Sequence, residues 1–132
     1  MEQGNRKIEK LDLIKLTTYL YIIFFIYAGI NHFRHPNFYD SIVPAFIPFP
    51  RYTHLLVGIL EVIIPILLLT KYRSTAAILM IVFIIILYLG NLHVWINKLP
   101  YGNNYFTNAQ HTFRLFLQIV LIYITYIIYK HG

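Results

Sequence analysis

The chain contains no cysteine among its 132 residues. This absence excludes disulfide bonds, thiolate metal sites and the paired-thiol chemistry by which a membrane enzyme can reduce a quinone. Any redox chemistry in which this chain takes part must therefore use a group other than a thiol.

Charged residues are also scarce. They make up 12% of the sequence, whereas a soluble domain carries roughly 25%. Acidic residues number five, and 58% of all residues are hydrophobic. This composition excludes an ordinary soluble domain and indicates an integral membrane protein.

Four long apolar runs are the candidate membrane spans. Each is close to the ~17–25 residues needed to cross the hydrocarbon core of a bilayer. Residues 1–11 are polar, and we expect them to fray or to form a short interfacial helix. Since little chain remains for a second domain, the predicted fold is a single all-α domain over residues 1–132. It is an antiparallel four-helix membrane bundle with spans at about 13–30, 52–69, 75–95 and 111–129.

The formal net charge of +6 raises the question of a nucleic-acid partner. The positive side chains do not form one patch, however. Most of them lie before or at the start of the first run, between the second and third, or after the fourth: Arg6, Lys7, Lys10, Lys15, Lys71, Arg73 and Lys130. The positive-inside rule then places both termini in the cytoplasm. We expect a multi-pass protein of the plasma or inner membrane that has no nucleic-acid partner.

The segment 29–50 connects the first two spans and contains four prolines: Pro36, Pro44, Pro48 and Pro50. Proline removes a backbone donor and biases the preceding residue towards extended conformations, so the segment cannot be one continuous helix. The residues between the last three prolines are mostly apolar, which is unusual for a loop that stands in water. We predict a re-entrant or interfacial loop between helices 1 and 2 that covers the bundle.

Glu61 is the one acidic residue within the predicted spans. It shares a helical face with Gly58 and Pro65. An ionisable group at this depth costs roughly 2.5–3.5 kcal/mol on insertion scales, so it normally faces the bundle interior and has a partner. The partner that we predict is Arg114. Such a pair could simply hold the helices together, or it could belong to a ligand or proton site.

Other polar residues interrupt the remaining spans. His111, Arg114 and Gln118 recur at helical spacing and form one stripe, which we expect to face inward because lipid would tolerate it poorly. Asn91 is the inward candidate on the third span, where interhelical hydrogen bonding would also explain it. Gly29 is interpreted as a point of close helix packing.

These residues gather in the outer half of the predicted bundle. An apolar cavity with a few converging polar groups is the usual form of a small-molecule site. It would suit a lipid-soluble ligand that carries one or two carbonyl or hydroxyl groups. The predicted ligand-binding residues are Asn31, His32, Glu61, Asn91, His111, Arg114 and Gln118.

The positions of the six histidines do not favour a metal or haem site. We interpret His35 and His54 as loop residues and His131 as part of the tail. The other three histidines lie near one surface of the predicted bundle. We therefore predict no metal site and do not expect haem.

Short motifs follow one another along nearly the whole chain after its basic N-terminus. They are Asn31-His32-Phe33, Pro36, Phe38-Tyr39, Ile42-Val43-Pro44 and Pro48, followed by Glu61, Asn91-Leu92-His93, His111, Arg114-Leu115 and Gln118. This set resembles the DoxX-like family of small four-helix integral membrane proteins.

The resemblance implies quinone-dependent redox chemistry, because relatives of DoxX include a membrane subunit of a thiosulfate:quinone oxidoreductase. It implies that His32 or His111 donates to a quinone carbonyl and that Glu61 moves protons. The sequence has no flavin-binding motif or redox centre of its own, so electrons would come from a soluble or membrane partner. Membrane lipid and a second copy of the chain are the other expected partners.

Two further interpretations remain open. A branch similar to DoxX acts as a receptor-assembly chaperone, which implies a non-enzymatic factor that holds partner helices. Transport is less well supported, since the sequence has no evident inverted repeat. A ligand-sized cavity with polar groups beneath the proline-rich loop would favour ligand binding, whereas a filled bundle would favour the assembly factor.

Overall fold

A computed structural model describes residues 2–101 and 103–131, and almost all of its regular structure is helical. Within these ranges, four helices are long and apolar enough to cross a membrane. The elements are α1 (Glu2–Arg34), α2 (Pro36–Asp40), α3 (Pro50–Ile66, extended by a 3₁₀ turn at Leu67–Leu69), α4 (Arg73–Ile96) and α5 (Asn108–His131). The predicted all-α membrane bundle is confirmed.

Proline marks the start of both α2 and α3. Pro36 and Pro50 occupy their first turns, where a missing N–H costs nothing and the fixed φ favours a helix. Phe49, which precedes α3, has a positive φ of 54° and turns the chain sharply into the helix. The second span therefore begins two residues before the predicted position 52, and His54 belongs to α3.

The N-terminal segment does not form a separate element. Helix α1 is continuous from Glu2 over 33 residues. At ~1.5 Å per residue such a helix is longer than the ~30 Å hydrocarbon core, so one end of α1 projects beyond it. The projecting end is the N-terminal one, because it carries Arg6, Lys7 and Lys10.

The long helices pack in a ring. Helix α1 packs on α3 and α5, and α4 also packs on α3 and α5, so that α3 and α5 face each other diagonally. We call the end with the α1–α3 and α4–α5 connections the loop end. The opposite end, with both termini and the short α3–α4 turn, is the terminal end.

Apolar packing fills the bundle from its middle to the terminal end. The buried core there consists of Tyr21, Ile22, Phe25, Leu68, Ala76, Ala77, Met80, Ile84 and Ile128. One buried polar contact crosses it, between the hydroxyl groups of Tyr21 and Thr125 at 2.6 Å. Thr125 donates its own proton to the Leu121 carbonyl, so the Tyr21 hydroxyl is the donor.

The proline-rich connection lies against the loop end. Ile42 contacts α4 beside Gly90, where an added Cβ would lie 3.2 Å from the Ile42 side chain. Phe46 and Phe49 point away from the bundle and are 83% and 72% exposed. The connection thus has an inner apolar side that covers the helices and an outer side that carries aromatic rings.

Candidate functional site

Two glycines bring α1 and α3 together near the loop end. A Cβ at Gly29 would lie 2.5 Å from the Gly58 carbonyl oxygen, and one at Gly58 would lie 2.8 Å from the Gly29 carbonyl oxygen. The two backbones are therefore in direct contact, which confirms the predicted packing role of Gly29. One turn further on, this approach places His32 of α1 against Glu61 of α3.

Glu61 is buried on the interior face of α3 that Gly58 and Pro65 share, as predicted. Its Oε1 atom lies 3.6 Å from Nε2 of His32. Its other carboxyl oxygen, Oε2, is buried and has no hydrogen-bond partner in the described part of the chain. Pro65 also leaves the backbone carbonyl of Glu61 without its usual helical donor.

The predicted contact between Glu61 and Arg114 is not formed. Arg114 instead donates from Nη2 to Oδ1 of Asn91, at 3.1 Å. The reason is the order of the helices: α3 and α5 are diagonal, whereas α1 neighbours α3 and α4 neighbours α5. Glu61 therefore pairs with His32 on the adjacent helix α1, and Arg114 pairs with Asn91 on the adjacent helix α4.

Tyr101 completes the group around Arg114. Its hydroxyl donates to the same Asn91 oxygen at 2.8 Å, and its ring lies 4.7 Å from the guanidinium carbon. Burial raises the pKa of Tyr101, which keeps the phenol protonated and able to donate. The Nε atom of Arg114 is buried without a partner among the described residues.

A cavity of about 230 Å³ separates the Glu61–His32 pair from the Arg114–Asn91 pair. Five of the seven predicted ligand-binding residues line it: His32, Glu61, Asn91, Arg114 and Gln118. Its walls are otherwise mostly apolar, and Tyr39 and Ile42 close it towards the loop end. We call it the polar cavity.

The other two predicted residues lie elsewhere. The structure places Asn31 in a surface pocket with His35 and Phe38. His111 is buried, and its ring stacks on Trp95 with centroids 5.3 Å apart. The predicted stripe on α5 is thus divided, because His111 lies nearer the loop end than the polar cavity does.

The interpretation of His54 as a loop residue is wrong. It lies on α3, is 3% exposed, and its Nδ1 atom is 3.4 Å from Nδ1 of His32. Its Nε2 atom is 2.7 Å from Oδ1 of Asp40. His54 precedes Gly58 by four residues and Glu61 by seven, so the face that contains Glu61 could have revealed it.

Asp40 forms the surface end of this hydrogen-bonded group. Arg51 donates to its carboxylate through Nε and Nη2, the shortest distance being 2.8 Å. These bonds, with that from His54, hold the pKa of Asp40 below its usual value despite partial burial. The sequence pattern did not indicate a role for Asp40, because it is the one acidic residue of a helix too short to show a spacing pattern.

Tyr39 stacks on the other side of His32, with ring centroids 3.8 Å apart. Burial, and to a lesser degree the nearby Glu61 carboxyl group, raises the pKa of Tyr39. Tyr39 also lines a second cavity of about 170 Å³, which lies beneath the proline-rich connection beside His54. Within residues 2–101 and 103–131, no three acidic or histidine side chains are arranged to share a metal ion.

Fold and site together define a four-helix membrane protein with a polar cavity in the half of the bundle nearer the loop end. Residues 22–128 match a family described as a domain of unknown function (DUF8561), and the chain belongs to that family. Comparison with curated proteins and with solved structures gave no match.

Proposed function

We propose that this protein binds a lipophilic small molecule, quinone-like in its chemistry, in the polar cavity. The ligand carries one or two carbonyl or hydroxyl groups on a ring. The protein acts on it as the membrane component of a redox system, and a soluble or membrane partner supplies the electrons.

The observation that carries this proposal is a pair of unsatisfied polar atoms. Oε2 of Glu61 and Nε of Arg114 are both buried, and both residues line the polar cavity. A buried polar group without a partner costs about 1–3 kcal/mol, so each gains from a ligand that supplies the missing bond. A ring with a carbonyl acceptor for Arg114 and a hydroxyl donor for Glu61 would satisfy both.

The size and position of the cavity support a ring-sized head group. Its volume of about 230 Å³ lies below the ~300–1,000 Å³ of sites that enclose a whole drug-sized ligand. Phe24 lines the cavity and is 51% exposed on the lipid-facing surface of α1. A ligand could therefore place its ring among the polar groups and leave an apolar tail beside α1.

The resemblance to the DoxX-like family supports the redox part of the proposal, since quinone-dependent chemistry is what that resemblance implies. Seven of the family-like motif residues line the polar cavity: His32, Tyr39, Ile42, Glu61, Asn91, Arg114 and Gln118. The basic residues at the terminal end support an orientation in the plasma or inner membrane with both termini in the cytoplasm. In this orientation the polar cavity lies in the outer half of the membrane.

The test is native mass spectrometry of the purified protein together with extraction of bound lipids. Wild type is compared with Glu61→Gln and Arg114→Gln, which keep a polar side chain but remove the ionisable group. We expect a quinone or a related lipid to be present in wild type and depleted in both variants. Added short-chain benzoquinone should bind wild type and neither variant.

Arg73→Gln is the matched control. Arg73 also has a buried nitrogen without a partner in the described structure, but it lies at the terminal end, away from the cavity. Its variant should retain the ligand. If wild type holds no small molecule and binds no benzoquinone, the proposal fails, and the polar groups serve the bundle itself or an assembly role with partner helices.

A further inference from the structure

We propose that four side chains form a route for protons between the polar cavity and the surface of the loop end. In order from the cavity, they are Glu61, His32, His54 and Asp40. This proposal depends on the proposed function in one respect: the ligand in the polar cavity is what supplies a proton to Glu61 or takes one from it. It is tested without any ligand, so the two proposals can fail separately.

The two imidazole rings are connected in series. His32 faces Glu61 with Nε2, at 3.6 Å, and His54 with Nδ1, at 3.4 Å. His54 faces His32 with Nδ1 and reaches Asp40 with Nε2, at 2.7 Å. Each ring can therefore receive a proton on one nitrogen and release a different proton from the other.

The surface end sets the direction of the hydrogen bonds. The Asp40 carboxylate, held by Arg51, is an acceptor, so His54 donates to it from Nε2. In its neutral form His54 then has a bare Nδ1, which accepts the Nδ1 proton of His32. The remaining nitrogen of His32, Nε2, is bare and faces Glu61.

Glu61 and Nε2 of His32 can therefore share one proton beside the cavity. Either Glu61 is a neutral acid that donates to Nε2 of His32, or His32 is an imidazolium beside the Glu61 carboxylate. Both forms contain the same number of protons. The pair can therefore exchange a proton with a cavity ligand on one side and with His54 on the other.

Outward transfer needs no additional reactant. Nε2 of His32 takes the proton of Glu61, Nδ1 of His32 gives its proton to Nδ1 of His54, and Nε2 of His54 gives its proton to Asp40. Water then takes the proton from Asp40, and Glu61 is left as a carboxylate. Both rings now hold their protons on the opposite nitrogen, so inward transfer or rotation of the rings restores the first state.

Burial confines transfer to these groups. Glu61, His32 and His54 are 6%, 6% and 3% exposed, and Tyr39 covers one face of His32. Asp40 is half-buried at the surface. The two inner distances must shorten by about half an ångström to reach ordinary hydrogen-bond length. Three further charged or titratable side chains face the route: Tyr39 against His32, Arg51 against Asp40, and Arg114 across the polar cavity from Glu61.

The experiment follows the protonation of Glu61 by infrared spectroscopy on the full chain in lipid nanodiscs. The carboxylic-acid C=O band of Glu61 is the band that Glu61→Gln removes. At the pH where this band has half its maximum intensity, a light-released proton starts the reaction and the band reports the rate. We expect His54→Gln to slow this rate roughly 10²-fold, the lower end of what a positioned proton-transfer group contributes.

His111→Gln is the control, because His111 is as buried as the route histidines but lies outside the route. Its rate should equal that of wild type. Asp40→Asn, which removes the carboxylate at the surface end, should also slow the reaction, and this variant serves as the test if His54→Gln does not fold. Imidazole added to His54→Ala should restore the rate, since the cavity of about 170 Å³ lies beside that position.

Three results would overturn the proposal. One is a wild-type rate in both His54→Gln and Asp40→Asn. Another is equal slowing in His111→Gln, which would mean that any buried histidine merely maintains the bundle. The third is the absence of a Glu61 acid band at every pH at which the protein is folded, since Glu61 would then have no proton to transfer.

Discussion

Asp40 shows how one surface carboxylate can order a buried group of side chains. In the proposed route, Arg51 holds Asp40 as a carboxylate, and the bond from His54 to Asp40 then determines which nitrogen of each imidazole carries a proton. A tyrosine is already protonated at neutral pH, and burial raises the pKa of the neighbouring Tyr39 and of the more distant Tyr101 further. At the residue scale, the hydrogen bonds between these side chains determine where protons are held.

The low pKa of Asp40 predicts how stability depends on pH. Because Arg51 lowers this pKa in the folded protein, the stabilisation is complete above the unfolded value of 3.8 and is lost as pH falls through the folded value. Asp40→Asn should therefore melt a few degrees below wild type at neutral pH. The difference should shrink as the buffer becomes more acidic than about pH 4.

Melting curves in detergent between neutral and acidic pH test this prediction, with Asp12→Asn as the control. Asp12 is an exposed acid on α1. Its variant should follow wild type at every pH. A constant difference between Asp40→Asn and wild type over the whole range would show that the charge of Asp40 does not contribute to stability.

At the scale of elements, the contact between α1 and α3 positions the site. Gly29 and Gly58 allow the backbones to touch, and a Cβ on Gly58 would also lie 2.9 Å from Cβ of His32. The same approach therefore determines both the helix packing and the distance between His32 and Glu61. Proline at the first turn of α3 contributes by starting the helix early enough to include His54.

Gly58→Ala should force α1 and α3 apart. Overpacking of this kind typically costs about 1–3 kcal/mol, and we expect a loss of stability in that range. Gly4→Ala is the matched control because nothing lies within 4 Å of a Cβ at that position. Its exposed helical site should gain stability, since alanine is the better helix former by about 1 kcal/mol.

Thermal melting of the two variants in one detergent measures the difference. Equal melting temperatures for Gly58→Ala and wild type would mean that the helices are not held in contact at this point. In that case the distance from His32 to Glu61 would depend on other contacts.

At the scale of the whole molecule, the ring order of the helices creates the polar cavity. Arg114 and Glu61 lie on diagonal helices, and each is held by an adjacent helix through Asn91 and His32 respectively. The space between the two pairs remains available to a ligand. The terminal half, by contrast, is filled by apolar side chains.

The orientation of the whole molecule can be tested by labelling, because the chain has no cysteine of its own. Asn103→Cys places a thiol in the exposed α4–α5 connection at the loop end. Ser74→Cys places one at the exposed start of α4, at the terminal end. In intact cells a membrane-impermeant maleimide should label Asn103→Cys and leave Ser74→Cys unlabelled.

Permeabilised cells are the control, and in them both variants should react. The reverse pattern in intact cells would place both termini outside. The polar cavity and the surface end of the proton route would then lie nearer the cytoplasm.

The sequence alone determined the membrane class, the number of spans and the position of most polar groups along the helix axes. The reason is that hydropathy and helical spacing are local properties, readable over one or two turns. Gly29 as a packing residue and Asn91 as an interior residue were predictable on this basis. So was the inward direction of Glu61, since a carboxyl group is too costly to expose to lipid.

Only the tertiary structure decided which polar groups meet. The partner of Glu61 depends on the order of the helices around the bundle, which no single-span pattern contains. Tyr101 reaches Asn91 because the α4–α5 connection folds inward. His54 is buried because the proline-rich connection lies over it. These contacts depend on how separate segments pack together, and so spacing along one helix could not predict them.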